Sequence, residues 1–242
     1  MKQIIITPEI YRAAPGFCEL YIEADVVNGE TQDELFAMIE AEGERLRGLI
    51  TIPEIAQRPA IAATRAAYKA LGKEPNRYRP SAEALHRRML QGKGLYRINA
   101  LVDIINLLSL RYGYSIGGFD ADKITGPVLT LGVGREGEPF EAIGRGALNI
   151  ACLPIFRDET GGIGTPTSDN ERTKMTLATR RLAMTVNIYG EATDAAGLTG
   201  READFLRDAT SLLETYVQAT NIRHQLIEPQ EPHPPISATS VT

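Results

Sequence analysis

From Ala100 to Tyr112 apolar side chains fall nearly all round a helical turn: Leu101, Val102, Ile104, Ile105, Leu107, Leu108 and Leu110. That pattern predicts a buried helix. Asn99 stands in a good N-cap position and Gly113 just past the C-cap. Against this background Asn99, Asp103 and Asn106 recur at i, i+4 and i+7, which puts three polar groups on one helix face. Burying an unpaired carboxylate or amide costs several kcal/mol. Each therefore needs a partner, supplied either by the fold's own backbone or by a ligand. Tyr114-Ser-Ile-Gly-Gly118 follows directly, and two adjacent glycines serve a close backbone approach or a tight turn.

The rest of the chain alternates less regularly. Residues 3–7 and 18–26 read as strands, the second with Leu20, Ile22 and Ala24 on one face. Thr31 with Glu34 predicts a capping box for a helix to about Leu46. An alanine-rich helix is expected over Ile55–Leu71, ending at Gly72, and another from Pro80 and Ser81 to Gly92. Strands are expected at PVLTLGV, around Phe140, at ACLPIF and through Leu182, Met184, Val186 and Ile188. Thr199 and Glu202 predict a last capping box, and Phe205, Ala209, Leu212, Leu213, Tyr216 and Val217 an apolar helix face. Residues 228–242 carry four prolines without a core-forming pattern and predict a disordered tail. No linker divides the body, so residues 1–227 are expected to form one domain. Helices early and strands later imply α+β with mixed sheets.

Composition narrows the function. With 43% hydrophobic and 24% charged residues the chain has the make-up of a soluble globular protein. No apolar run has the length of a membrane span and MKQIIITPEIYRAAPGF lacks a signal core, so no membrane partner is expected. A net charge of −5 argues against a protein that coats nucleic acid, DNA in particular. Charge is uneven, however. Arg65, Lys69, Lys73, Arg77, Arg79, Arg87, Arg88, Lys93 and Arg97 face only Glu74 and Glu83 between them, a local excess that either contacts phosphate or forms a solvated face.

Cys18 and Cys152 are far apart without metal-ligand spacing and read as buried thiols of a reducing cytoplasm. Of the three histidines, His86 beside Arg87 and Arg88 reads as a surface residue, His224 ends the last helix and His233 lies in the tail. Neither a nucleophilic triad nor a zinc or other metal site is expected, and no cofactor. Gly132-Val-Gly134-Arg-Glu-Gly137 is formally GxGxxG. The strand-like Glu138–Ile143 follows where a dinucleotide site needs a helix, which excludes that reading.

The ordered set RPSAEAL, RINALVDIINLLSLRYG, GGFDADK, GREGEPF and GTPTSDNERTKMTLATRRLAM resembles the B3/4 tRNA-binding domain family. That family includes the editing domain of the phenylalanyl-tRNA synthetase β subunit and its free-standing relatives. The resemblance covers roughly residues 15 to 190 and implies a layered β/β/α fold. The synthetase's other parts have no counterpart here, so a stand-alone, cytoplasmic editing-type domain is expected. Its implied partner is tRNA or aminoacyl-tRNA, and its implied activity is hydrolysis of a misacylated ester; the alternative is a binding module for tRNA or an amino-acid-like ligand without chemistry.

Residue by residue, the resemblance puts Asn106 and Asp103 at the aminoacyl end or its water. Asn99, Ser115, Gly117, Gly118, Thr165, Thr167, Ser168 and Glu171 line the pocket, and Arg79, Arg97 and Arg172 meet phosphate. The synthetase pattern after the helix resembles GQPLHAFD; Ser115 and Gly117 stand where it has proline and histidine. Ile105-Asn106 replaces its Thr-Asn pair, which implies a roomier, more apolar pocket.

Overall fold

The computed structural model describes residues 1–189 and 195–228, without the side chains of 195–202. In chain order it places β1 (Gln3–Ile6), α1 (Pro8–Ala13), β2 (Phe17–Asp25), α2 (Asp33–Leu49), α3 (Pro59–Ala70), α4 (Ser81–Leu90) and α5 (Ala100–Tyr112). Then come β3 (Ser115–Asp120), β4 (Val128–Val133), β5 (Glu141–Ala142), β6 (Gly146–Ala147), β7 (Pro154–Asp158), β8 (Gly161–Gly164), β9 (Arg181–Tyr189), α6 (Ala195–Val217) and β10 (Thr220–Ile227).

Two four-stranded sheets form, ordered β1-β4-β7-β8 and β10-β2-β9-β3, beside the β5-β6 hairpin. The first is mixed, since β1 runs parallel to β4 while β4, β7 and β8 are antiparallel. The second is wholly antiparallel. Strand alternation sorts its residues between two cores. Leu20, Ile22 and Ala24 of β2 with Leu182, Met184, Val186 and Ile188 of β9 pack on α2, α5 and α6. Phe17, Tyr21, Ala183 and Tyr189 turn the other way, onto Ile4, Leu129, Leu131, Phe156 and Ile163 of the first sheet. The result is an α+β fold in β/β/α layers, with α5 in the middle of the helical layer.

Helix α5 takes the predicted bounds. The Asn99 side chain accepts from the Val102 amide at 3.1 Å, and Gly113 adopts φ +82°, the left-handed conformation glycine allows. Elsewhere the sequence expectations need correction. Gln32, not Thr31, stands at the N-cap of α2 and makes no side-chain cap bond. The expected Ile55–Leu71 helix is a 3₁₀ turn, Pro53–Gln57, followed by α3. Arg58 between them has ψ 131°, because the ring of Pro59 excludes the helical region for the residue before it. The glycine-rich segment Gly161–Gly164 forms strand β8, and β10, which holds His224 in place of a helix end, was not expected. Cys18 is buried but Cys152 is only half-buried. Helix α6 begins at Ala195, so Thr199 stands inside it rather than at its N-cap; the tail from 229 on, His233 included, lies outside the described residues.

Candidate functional site

A cleft of about 510 Å³ opens where the first turns of α4, the middle of α5, strand β3 and the loop after β8 meet, a size suited to a small ligand. Helix α5 presents Val102, Ile105, Asn106 and Ser109 to it, at i, i+3, i+4 and i+7 of one face. Strand β3 presents Ile116 and Gly118, and α4 presents Ser81 and Leu85. The loop after β8 supplies Thr165, Thr167, Ser168 and Asp169; Ile143, Arg145, Lys174 and Met175 stand on the remaining side. One part of the wall is thus aliphatic and the other carries hydroxyls, a carboxyl and an amide.

Asp169 is the titratable group of this wall with the most altered proton affinity. One of its carboxyl oxygens accepts the Gly118 amide at 3.1 Å. Burial pushes its carboxyl up to about 7, against the opposing pull of that amide. Asn106 is half-buried, and its amide reaches Asp103 Oδ1 only at 3.5 Å, leaving hydrogens to serve a ligand. The hydroxyls are largely engaged: Thr165 donates to Ser168 O at 3.1 Å, Thr167 to Tyr78 O at 3.0 Å and Ser168 to Asp169 O at 3.3 Å. They act as a shaped polar wall with spare lone pairs.

Of the residues singled out in the sequence, the structure brings Asn106, Gly118, Thr165, Thr167 and Ser168 together in the cleft. Asn99 and Asp103 do not line it. Asn99 caps α5 and accepts from Asn28 Nδ2 at 3.0 Å. Asp103 is wholly buried and takes the Thr31 hydroxyl and the Ile98 amide. Burial raises its carboxyl, the Thr31 hydroxyl opposing. Ser115 and Gly117 alternate onto the opposite face of β3, where Ser115 Oγ accepts the Ala82 amide at 3.4 Å. A Cβ at 117 would stand 2.5 Å from Thr185 Oγ1, whereas one at 118 would meet Ile105 and Met175. Glu171 pairs with Lys174 and accepts the Gly144 amide.

The arginines assigned to phosphate have counter-ions inside the protein. Arg79 pairs with the buried Glu83, which also takes Arg65 and Arg87. Arg97 pairs with Asp33 at 2.6 Å and covers the Phe36 ring. Arg172 clasps Asp158 at 2.8 and 2.9 Å and faces away from the cleft. Arg145 at the cleft, by contrast, makes no ion pair among the described residues. His86 is fully buried rather than exposed: its Nδ1 donates to Ala82 O at 2.7 Å and its Nε2 meets the Arg58 guanidinium.

Sequence reasoning missed Asp169, Arg145, Lys174, Ser81 and Ser109 as individual residues. Only the polar stretch Thr165–Arg172 had flagged the loop that holds Asp169. Among the described residues no cluster of three or more His, Cys, Asp or Glu could hold a metal, and no helix is long and apolar enough to cross a membrane.

Comparison with known proteins supplies the lineage. Over 122 residues the chain is 35% identical to the phenylalanine–tRNA ligase beta subunit of Bartonella henselae and 34% to that of Bartonella quintana. Each match spans 50% of this chain and 15% of the relative. A crystallised N-terminal fragment of the phenylalanyl-tRNA synthetase beta-subunit from Pyrococcus horikoshii is 15% identical, with a TM-score of 0.47, covering 91% of this chain and 50% of the fragment. The B3/4 domain family matches residues 63–222, which hold α4, α5, β3, β9 and every residue of the cleft wall: the chain belongs to the B3/4 domain family.

Proposed function

We propose that this protein binds the aminoacylated 3′ end of a tRNA in the cleft and hydrolyses its ester. The observation that carries the reading is Asp169: a carboxyl fixed by a backbone amide, facing a ligand-sized cleft, with its proton affinity near neutrality. A base of that kind takes a proton from water at physiological pH. As water attacks the ester carbonyl, Asp169 accepts its proton, and Asn106 Nδ2 donates to the oxygen that becomes negative. The tetrahedral adduct then expels the terminal ribose oxygen, which receives the proton from Asp169. Products are the free amino acid and an uncharged tRNA.

The aliphatic wall (Val102, Ile105, Ile116, Met175) takes the amino-acid side chain, and Arg145 meets the backbone phosphates of the tRNA end. Ile105, which stands in the cleft wall in place of the synthetase's threonine, favours an apolar substrate side chain. Residues 1–227 act as one domain, supported by the way β2 and β9 are shared by both cores, and the protein works in the cytoplasm, where tRNA is charged.

Incubating the protein with a panel of mischarged tRNAs tests the proposal. Faster release of at least one amino acid is expected. Salt-dependent tRNA binding without acceleration for any of them leaves the binding-module alternative instead.

A further inference from the structure

The layer between the two sheets contains a polar row that the cleft does not use. Strand pairing sets Phe17 against Tyr189, Glu19 against Asn187 and Tyr21 against Thr185. Alternation then turns Glu19, Thr185, Asn187 and Tyr189 to the face that meets the first sheet. Glu19 is 0% exposed, Thr185 1%, Asn187 3% and Tyr189 5%. Yet both carboxyl oxygens of Glu19, Thr185 Oγ1, Asn187 Oδ1 and Tyr189 Oη make no well-formed hydrogen bond among the described residues. The Asn187 amide nitrogen is committed to Ser115 O at 3.2 Å, so its oxygen is the end left facing the row.

Leaving one such atom buried and unpaired is costly, and several together weigh heavily against the small stability margin of a domain. Cross-strand and diagonal neighbours on one sheet face are close enough for their side chains to share a bridging group, and these polar ends are not bonded to one another. That group must be small, and it must both donate and accept, because the row mixes hydroxyls with a bare amide oxygen. Buried carboxylates that stay ionised need a positive partner, and no basic side chain acts on Glu19; burial raises its carboxyl well above the usual range, opposed only by the Val186 amide. A neutral acid has little attraction for a cation.

We infer that this row is an internal water-binding site, in which ordered water bridges Glu19, Thr185, Asn187 and Tyr189 between the sheets. Gly117 lies across from it, pressed to Thr185 Oγ1 where a side chain would intrude. Through Asn187 and the Ser115 carbonyl the bridge ties β2 and β9 to β3, the strand that carries Gly118 on its other face. The site is independent of the hydrolysis reading and stands or falls without it.

A crystal structure of the full chain at near-atomic resolution, from matched sodium and rubidium chloride conditions, decides the matter. The expected result is a water oxygen at hydrogen-bonding distance from Glu19 and at least one other row member, the same in both salts. Rubidium anomalous signal in the row would make it a cation site and overturn the inference. A dry layer in which the row's side chains bond directly to one another would overturn it equally.

Discussion

Asp169 and Gly118 meet through one hydrogen bond, amide to carboxyl, at 3.1 Å across 51 positions of sequence. The bond fixes the loop after β8 to strand β3 and leaves the second carboxyl oxygen for the cleft. Proton affinity and position therefore have one origin. The same closeness needs a glycine at 164, where a Cβ would stand 2.7 Å from Asp169 Oδ1.

Asp169→Asn keeps an acceptor for the Gly118 amide and removes the base. Deacylation should fall by about 10²–10⁴-fold with tRNA affinity preserved. In the parent protein kcat/KM should rise with pH through about 7 and level off above it, since the ionised form is the active one. Stability carries the opposite sign. The folded state holds the Asp169 proton more tightly than the unfolded chain, so stability from this group declines as pH rises from about 4 through 7. Asn should therefore raise Tm more at pH 8 than at pH 5. Unchanged turnover in the variant would remove Asp169 from the chemistry.

Gly117 and Gly118 separate the two faces of β3. Gly117→Ala drives a Cβ against Thr185 Oγ1 and to 2.8 Å from the Phe119 ring, and should cost about 1–3 kcal/mol by overpacking. Gly118→Ala meets the far ends of Ile105 and Met175, flexible tips that can move into the cleft. Thermal melts and tRNA titration should show a stability defect for the first and a binding defect for the second. The reverse pattern would exchange the faces.

How far the chain was readable follows from where each partner comes from. Helix α5 was readable because apolarity, N-cap and C-terminal glycine agree within fifteen residues of sequence, and β2 and β9 because large apolar residues recur at every second position on the face toward the helices. Strand β10, TNIRHQLI, was not, since it lies at a sheet edge and five of its eight residues are polar. Strand β8 hides behind its glycines. They are there because a Cβ at 162 would stand 2.5 Å from Ile155 Cδ1, and nothing local distinguishes close packing from a turn. Thr31 looked like a cap because the capping-box spacing is local, but its hydroxyl goes to Asp103, 72 residues away.

The site follows the same rule. Asn106 and the threonine-rich loop stood out as polar groups in apolar or glycine-rich surroundings. Asp169 within TSDNER looks like any solvated turn residue until Gly118 is set beside it. Arg97 and Arg172 looked free for phosphate because Asp33 and Asp158 reach them only through the fold, whereas Glu83 stands four residues from Arg79. His86 looked exposed between charged neighbours, although Arg87 points to Glu83 while His86 turns inward under Arg58.

That inward turn gives acid sensitivity. Burial, and next the Arg58 charge, push His86 down to about 4. Below pH 6.5 the unfolded chain takes up a proton that the folded one refuses, so stability should fall by roughly 3 kcal/mol between pH 6.5 and 4 and hold above that range. His86→Gln should flatten this part of the Tm–pH curve. An unchanged slope would assign the acid lability to other groups.

Arg145 and Arg172 should differ in kind. Arg145→Ala removes a cation with no ion pair among the described residues, so tRNA affinity should weaken and the dependence of log Kd on log salt should lose about one unit of slope. Arg172→Ala leaves Asp158 buried without its guanidinium and should lower stability by about 1–3 kcal/mol with the salt slope intact. Urea melts and salt titrations of both variants separate the roles. A salt slope that moves only with Arg172 would reverse the assignment.

Asn106 and Asp103 lie one helical turn apart and divide along the same line. Asp103→Leu strips the Thr31 hydroxyl and the Ile98 amide of their acceptor in a fully buried place, so it should cost about 1–3 kcal/mol. Asn106 has one long bond to lose, at 3.5 Å, and its side chain lines the cleft. Asn106→Leu should therefore melt close to the parent while deacylation falls by about 10²-fold, the scale for losing one donor to a developing oxyanion. Asn106→Asp places a like charge beside Asp103 and substitutes an acceptor for the donor, so it should lose the same activity and bind tRNA less well at low salt. A marked drop in Tm for Asn106→Leu with deacylation intact would make Asn106 a part of the helix packing and leave Asp169 to act without it.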